Sequence, residues 1–237
     1  RQGKGELFDY LARTGGTAFY LAESEALTEM AAERPDLTAY GFSSDVLDPL
    51  PAKDNLLTLS YAGRSIHTQL VGDYNIYNVA AALAIGEYFE VGPAETIAAI
   101  ESYTPDNNRS QRTVTEQNTL YMDAYNANPS STAAALDNFA AVDEPGRRKV
   151  LILGDMRELG DYAEAEHRAV LDRILSHGFG EVYLVGPVFE AVNEGRFKAF
   201  PNVEALAEQL KQYPVRESVI LIKGSRGIRL EEIAPFL

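Results

Sequence analysis

The residues with the clearest chemical potential lie in one polar segment, Asp123 to Ser131, which reads Asp-Ala-Tyr-Asn-Ala-Asn-Pro-Ser-Ser. It follows an apolar run typical of a strand, residues 119–122, and precedes small residues typical of a helix. Parallel sheets present their functional groups at such strand ends. The segment offers a carboxylate, a phenol and two amides: Asp123, Tyr125, Asn126 and Asn128. We therefore predict a ligand site here, with one alternative, that Asn128 and Pro129 only start a well-capped helix.

Two other polar segments leave predicted strands. Lys223-Gly224-Ser225-Arg226 follows the apolar run 219–222, and its two cations and hydroxyl suit a carboxylate ligand. The alternative is that this segment reflects close packing around Gly224. Residues 153–160 also begin at a strand end and include the carboxylate of Asp155. His167 follows on a predicted helix, where we expect a surface side chain.

A pair of amide side chains and an arginine suggest a nucleotide-binding site. Asn75 and Asn78, three residues apart at a predicted helix start, lie on one face and can read the edge of a planar base. The alternative is that Asp73 or Asn75 caps that helix. Arg109 lies in a polar run, residues 104–111, where a guanidinium can contact phosphates as two domains close, or can simply be solvated.

The surrounding pattern predicts how these groups are positioned. After the polar run, short apolar strands alternate with amphipathic helices, which predicts a doubly wound, mostly parallel sheet. The predicted strands cover residues 119–122, 149–153, 181–185 and 219–222, and the helices 131–141, 163–176, 189–193, 203–212 and 230–236. The earlier half predicts helices over 3–12, 25–33, 76–89 and 94–102, strands over 17–21 and 38–42, a hairpin of 56–61 with 65–71, and a loop over 48–54. The polar run over residues 104–111 is typical of a linker between domains.

Composition narrows the class of partner. The chain has 35 acidic and 21 basic residues, a net charge of −14, which argues against nucleic acid or an anionic membrane surface. It has no cysteine, which excludes disulfides and thiolate metal sites. No apolar run approaches the roughly 18 residues of a membrane span, and no signal peptide is apparent. We therefore expect a cytoplasmic protein without membrane insertion, and a monomer.

Several segments resemble the Mur ligases. They are Asp123–Ser131, Gly154–Gly160 (Gly-Asp-Met-Arg-Glu-Leu-Gly), Lys223–Arg226, Lys4–Phe8 (Lys-Gly-Glu-Leu-Phe) and Gly72–Asn78. The last has Tyr74 where the family usually has His, and Arg109 resembles the interdomain arginine of the family. The first two are most similar to the branch of the family that adds D-alanyl-D-alanine.

The resemblance implies an α/β protein with the later part of a Mur ligase central domain in residues 1–108. A Rossmann-like C-terminal domain with a mostly parallel sheet would occupy residues 109–237. It implies an ADP-forming ligase that uses ATP and Mg²⁺ to join D-alanyl-D-alanine to UDP-N-acetylmuramoyl-tripeptide. Lys4, once carbamylated, would bind the metal and act in catalysis with Arg109. Asn75, Asn78, Arg109 and Asp123 would bind the nucleotide. The implied substrate-binding residues are Tyr125, Asn126, Asn128, Asp155, Lys223, Ser225 and Arg226.

The glycine-rich phosphate loop of the family, which ends Gly-Lys-Thr/Ser, has no match in this sequence. Position 1 is Arg1 and the first methionine is Met30. We therefore expect a piece of a longer protein that does not catalyse alone and carries an unmodified Lys4. Two alternatives remain: a folylpolyglutamate synthase, which shares the architecture, and a non-catalytic binding module.

Overall fold

The computed structural model describes residues 2–53, 55–105, 109 and 111–237. The chain divides into two units. The N-terminal unit comprises Arg1–Thr68 and Asp73–Tyr103, and the C-terminal unit comprises Gln69–Gly72 and Thr104–Leu237. The predicted domain boundary between residues 108 and 109 falls beside residues outside the described ones and stays a prediction.

The N-terminal unit mixes helices with two small sheets. Its helices are α1 (Gln2–Thr14), α2 (Glu25–Ala32), α3 (Ile76–Tyr88) and α4 (Pro93–Ser102), and its strands are β1 (Thr17–Leu21), β2 (Thr38–Phe42), β3 (Asp48–Lys53), β4 (Leu56–Tyr61) and β5 (Arg64–His67). β1 and β2 pair in parallel, whereas β3, β4 and β5 form an antiparallel sheet. The predicted hairpin is confirmed: Ala62 and Gly63 join β4 and β5 with φ angles of 49° and 75°, as two-residue hairpin turns require.

The prediction of a loop over residues 48–54 was wrong, because β3 occupies most of that range. Pro49 and Pro51 obscured the strand in the sequence, since proline lacks the N–H of a sheet ladder. Among the described strands, β3 pairs only with β4 and so lies at a sheet edge, where proline is tolerated. The two prolines are two residues apart, which places both missing donors on the same side of the strand.

The C-terminal unit is an α/β sheet domain. Its strands are β6 (Gln111–Val114), β7 (Asn118–Asp123), β8 (Arg148–Gly154), β9 (Glu181–Val185), β10 (Lys198–Phe200) and β11 (Ser218–Lys223). Its helices are α5 (Pro129–Ala141), α6 (Ala163–His177), α7 (Pro187–Val192) and α8 (Val203–Gln212), followed by a 3₁₀ segment, Leu230–Phe236. The order of the described strands is β10-β9-β8-β11-β7-β6, and all neighbours are parallel except β6 and β7. The predicted mostly parallel α/β fold is therefore confirmed.

Helices cover both faces of this sheet. On one face α5, α6 and α7 pack on a core that includes Leu136, Leu171 and Phe189. On the other, α8 and the 3₁₀ segment pack on a core that includes Leu206 and Ile233. All six residues of β11 are buried, because this strand lies between two parallel neighbours under both layers. No helix within the described residues is long and apolar enough to cross a membrane.

Two strands of the C-terminal unit were not predicted from the sequence. β10 has three residues and β6 reads Gln-Arg-Thr-Val, so neither contains the apolar run that marks a central strand. Both lie at edges of the sheet. β6 matters for the site, because it runs antiparallel to β7 and pairs Gln111 with Met122. Its beginning therefore lies beside the end of β7.

Candidate ligand site at the carboxyl edge of the sheet

Three central strands end side by side. β11 lies between β7 and β8, and its last residue, Lys223, is in register with Asp123 on one side and Leu153 on the other. The polar segments predicted from the sequence therefore leave the same edge of the sheet. The chain passes in one direction from β7 through β8 and β9 to β10 and then returns to β11, between β8 and β7, so the strand order reverses at this edge. Ligands of open α/β sheets bind at such reversal points.

Lys223 and Asp123 form a buried ion pair at this edge. The Nζ of Lys223 is 2.5 Å from Oδ2 of Asp123 and also donates to the carbonyl of Asn126 at 3.3 Å. The Lys223 side chain is 2% exposed and that of Asp123 is 18% exposed. Since a buried charge requires a partner, Lys223 fixes the carboxylate and the following loop, while Asp123 keeps an exposed portion that can meet a ligand.

The ring of Tyr125 carries two arginines. The guanidinium carbon of Arg109 is 3.6 Å from the ring centroid, and that of Arg226 is 5.3 Å from it. Both arginines are exposed and the tyrosine is half-buried. The structure thus gathers three predicted site residues from three separate segments, the approach to β6 and the loops after β7 and β11.

The asparagines after Tyr125 have different surroundings. Asn128 caps α5: its side chain accepts from the backbone N–H of Ser131 at 2.9 Å, and the Ser131 hydroxyl lies 3.2 Å from the backbone N–H of Asn128. This reciprocal arrangement is a capping box, so the cap predicted as the alternative is present. Asn126 is exposed, and its carbonyl accepts from Lys223.

Asp155 and Ser225 connect elements within the protein. Both carboxylate oxygens of the buried Asp155 accept backbone N–H groups, from Val188 and Phe189 at the start of α7, each at 2.9 Å. Ser225 accepts from the N–H of Arg157 at 2.9 Å, and its own N–H donates to the carbonyl of Asp155. The loops after β8 and β11 are therefore joined, and the carboxylate of Asp155 already has protein partners.

His167 is fully buried, so the expectation of a surface histidine was wrong. Its Nε2 accepts from the N–H of Met156 at 3.0 Å, and its Nδ1 is 2.6 Å from the carbonyl of Ala163. An Nε2 that accepts carries no proton, so the ring is the neutral tautomer that donates from Nδ1. It lies 3.6 Å from Asp155 and fixes the start of the loop after β8. The neighbouring buried Phe189 explains this burial, with ring centroids 4.5 Å apart.

The remaining candidates belong to the N-terminal unit. Asn75 is buried at the start of α3, and its Oδ1 accepts from the Asn78 side chain at 2.8 Å. This contact confirms that the two amides share one face, and Asn78 is exposed. Lys4 is exposed on α1. Within the described residues, no group of three His, Asp or Glu side chains is arranged to hold a metal ion.

Sequence analysis assigned no role to Arg157, which the structure places at the same edge. Its guanidinium lies against Gly227, where an added Cβ would overlap Nη1 and Cζ. The arginine is exposed. Little in the sequence indicates this contact. A glycine next to Arg226 is compatible with many local structures, and only the fold shows that the loops after β8 and β11 lie together.

A domain of this fold, with polar loops at the carboxyl edge of a parallel sheet, matches a known family. The family model described as "Mur ligase, glutamate ligase domain" covers residues 108–226. This chain belongs to the Mur ligase family.

Among its relatives are enzymes named UDP-N-acetylmuramoyl-tripeptide–D-alanyl-D-alanine ligase. The one from Treponema pallidum is 35% identical over 207 residues, covering 83% of this chain and 43% of the relative. The one from Escherichia coli is 31% identical over 219 residues, covering 88% and 44%. A crystal structure of the MurF ligase from Thermotoga maritima with ADP superimposes with a TM-score of 0.73 and 18% identity, over 93% of this chain and 52% of that one. The chain thus spans about two fifths of the length of these curated relatives.

Proposed function

We propose that this protein acts in the ATP-dependent ligation of D-alanyl-D-alanine to UDP-N-acetylmuramoyl-tripeptide, a step of peptidoglycan precursor synthesis. The observation that carries the proposal is the sequence identity with two ligases of that name over more than four fifths of this chain. The polar edge of the C-terminal unit supports it, because it combines a carboxylate, several cations and amides at the expected place for a ligand.

The proposed reaction proceeds through an acyl phosphate. The terminal carboxylate of the tripeptide attacks the γ-phosphorus of ATP, which forms a C–O–P linkage and releases ADP. The amine of D-alanyl-D-alanine then attacks the carbonyl carbon. The C–N bond forms, the C–O bond to phosphate breaks, phosphate leaves with the electron pair, and the nitrogen loses a proton. Negative charge develops on oxygen in both steps, so fixed cations accelerate them.

On this proposal, two sets of residues bind the nucleotide. Asn75 and Asn78 bind the adenine edge, since their two amides lie on one face at the start of α3 and amides can both donate to and accept from a planar base. Arg109 binds phosphate oxygens, because a guanidinium donates two parallel hydrogen bonds to such groups. Asp123, held by Lys223, accepts hydrogen bonds from hydroxyl groups of the nucleotide.

The dipeptide would bind at the loops after β7 and β11. Arg226 is the exposed cation suited to its carboxylate, and the exposed Asn126 supplies an amide. Tyr125, Lys223 and Ser225 shape this edge from half-buried or buried positions. Asn128 and Asp155 contribute through the capping box of α5 and the contact with α7.

Lys4 and Mg²⁺ belong to the same proposal. A carbamate formed on Lys4 by carbon dioxide would supply anionic oxygen ligands of the kind that Mg²⁺ prefers, and the exposed amine is accessible for this modification. The described residues contain no ready metal cluster, so no step above is routed through the metal. ¹³C-bicarbonate labelling of the product of the complete reading frame, followed by carbon NMR of wild type and Lys4→Arg, tests the modification.

We further propose that the protein is a cytoplasmic monomer and takes no nucleic acid partner. The substrates support the location, because a nucleotide-linked precursor and ATP are intracellular compounds. The charge of −14 supports the absence of a polyanionic partner. Sedimentation of the purified chain tests the monomer.

The decisive test measures ADP release by the product of the complete reading frame that contains this sequence. UDP-N-acetylmuramoyl-tripeptide, ATP and Mg²⁺ are supplied with D-alanyl-D-alanine or L-alanyl-L-alanine, and a parallel assay supplies ATP and Mg²⁺ with a folate acceptor and L-glutamate. The proposal predicts ADP release with D-alanyl-D-alanine only, and Arg226→Ala should raise the KM for D-alanyl-D-alanine. Release that needs L-glutamate and a folate acceptor would favour the folylpolyglutamate synthase alternative. Binding without release under every condition would favour the binding module.

A further inference from the structure

The two arginines on Tyr125 differ from their neighbours in how their charge is balanced. Most other arginines of the C-terminal unit pair with carboxylates, for example Arg148 with Glu181, Arg196 with Asp172, and Arg229 with Glu204. Among the described residues, no such pair includes Arg109 or Arg226, and their recorded partner is the ring of Tyr125. In a chain with 35 acidic residues, two cations without carboxylate partners on one ring are a distinctive arrangement.

The topology explains how they meet. Tyr125 lies two residues beyond the end of β7, and Arg226 lies three residues beyond the end of the adjacent parallel strand β11. Arg109 lies two residues before β6, whose first residue pairs with Met122 of β7. The antiparallel strand β6 therefore begins beside the end of β7, which brings Arg109 to the ring.

The electrostatics of the arrangement favour an anion. Each guanidinium is attracted to the negative face of the ring, yet the two positive charges repel each other. An anion that contacts both removes this repulsion and accepts hydrogen bonds from both planar forks. A phosphate-class anion has enough oxygens to serve two guanidiniums at once.

We infer that Tyr125 is a positioning residue whose ring holds Arg109 and Arg226 together, so that the two guanidiniums bind one phosphate-class anion as a pair. The guanidinium of Arg226 has five N–H donors, so it can contact this anion and the dipeptide carboxylate of the proposed function together. The inference deepens the proposed function and rests on it only for the identity of the natural ligand, a nucleotide or acyl phosphate. The contact is made by the ring, so phenylalanine should replace tyrosine, whereas an aliphatic side chain of similar size should not.

The test uses the 237-residue chain and two readouts. Proton–nitrogen NMR of the arginine Nε–H groups reports whether a guanidinium lies over a ring, because the ring current shifts those protons upfield. Arg109→Lys and Arg226→Lys assign the signals. Titration with pyrophosphate, by calorimetry and by the same spectra, measures the anion affinity of wild type, Tyr125→Phe and Tyr125→Leu.

We expect upfield-shifted signals for Arg109 and Arg226 in wild type and in Tyr125→Phe, and their loss in Tyr125→Leu. Pyrophosphate should bind Tyr125→Leu about fivefold more weakly than wild type, and Tyr125→Phe within about twofold of it. Backbone amide spectra of each variant establish that it is folded.

Three results would overturn the inference: no pyrophosphate binding or ring-current shift in wild type, full affinity in Tyr125→Leu, or equal losses in Tyr125→Phe and Tyr125→Leu. The last would assign the effect to the hydroxyl. Neither readout involves ligation. A reading-frame product that binds pyrophosphate through this pair but never consumes D-alanyl-D-alanine would retain the inference and lose the proposed function.

Discussion

Lys223 and Asp123 end adjacent parallel strands in register, and their Nζ and Oδ2 atoms lie 2.5 Å apart. The lysine is 2% exposed, so its charge depends on this partner. The pair therefore joins the two halves of the candidate site, the loop after β7 and the loop after β11.

Removing Lys223 should destabilise the C-terminal unit. Lys223→Met leaves Asp123 without its cation. We expect the free energy of unfolding in urea to fall by about 2–3 kcal/mol. This loss is smaller than that for a fully buried ion pair, because Asp123 is partly exposed. The double variant Asp123→Asn/Lys223→Met should recover part of the loss.

The matched control is Lys211→Met, which removes a lysine from an exposed pair with Glu208. Such a pair contributes at most about 0.5–1 kcal/mol. Equal effects of Lys223→Met and Lys211→Met would mean that the buried pair has no special role in stability.

We predict that Asp155 contributes to the stability of the fold and has little effect on binding of the dipeptide. Its two oxygens accept the N–H groups of Val188 and Phe189, and Asp155→Asn would turn an amide NH₂ toward one of these donors. We expect a loss of about 1–3 kcal/mol in unfolding free energy and faster hydrogen exchange at both amides. Affinity for D-alanyl-D-alanine should be nearly unchanged in the folded variant. Lost dipeptide affinity with unchanged exchange would instead place Asp155 in direct contact with the dipeptide.

Much of the fold was predictable because its signals are local. The alternation of apolar runs and amphipathic helices after residue 111 marks β7, β8, β9 and β11, since a strand under two helical layers must be apolar throughout. Edge strands carry no such requirement, which is why β6 and the proline-containing β3 were missed. Residues 106–108 and 110, within the predicted linker, lie outside the described residues.

The sequence predicts which residues belong to the candidate site better than it predicts the contacts between them. Residue types and position after strands identified Asp123, Tyr125 and Lys223. Sequence could not reveal that Lys223 bonds Asp123 across 100 positions, or that Arg109 reaches Tyr125, because both contacts depend on strand order. The burial of His167 was hidden for the same reason: its neighbours Met156 and Phe189 come from other elements.

The contact of α5 with α6 should weaken in acid. Asp137 on α5 accepts from Nε of Arg173 at 2.8 Å and lies 2.7 Å from Nε2 of His177. The hydrogen bond from Arg173, followed by that from His177, lowers the pKa of Asp137 below its ordinary value of 3.8. A carboxyl whose folded pKa is depressed adds stability above its unfolded pKa and loses it as the pH falls through the folded pKa.

Unfolding free energies measured from pH 6 to about pH 2.5 should therefore fall less steeply in Asp137→Asn than in wild type. Arg173→Gln removes the main cause and should reproduce most of the difference. Since Asp137 is 42% exposed, high salt should reduce it. Parallel profiles for wild type and Asp137→Asn would show that this carboxylate does not contribute to acid sensitivity.

Gly227 is predicted to set the position of Arg157 at the carboxyl edge. Gly227→Ala places a Cβ where the guanidinium of Arg157 lies, and that flexible side chain can move at little cost. We therefore expect an unfolding free energy within about 0.5 kcal/mol of wild type. If Arg157 belongs to the anion site, pyrophosphate affinity should fall in Gly227→Ala as it does in Arg157→Ala.

The double variant decides whether the two changes act through one contact. Because Gly227→Ala would act by displacing Arg157, adding it to Arg157→Ala should cause no further loss of affinity. Gly180→Ala is the control: an added Cβ there meets no atom within 4 Å, so binding should match wild type. Additive losses would mean that alanine at position 227 disturbs the neighbouring Arg226 directly, and unchanged binding in Arg157→Ala would exclude Arg157 from the site.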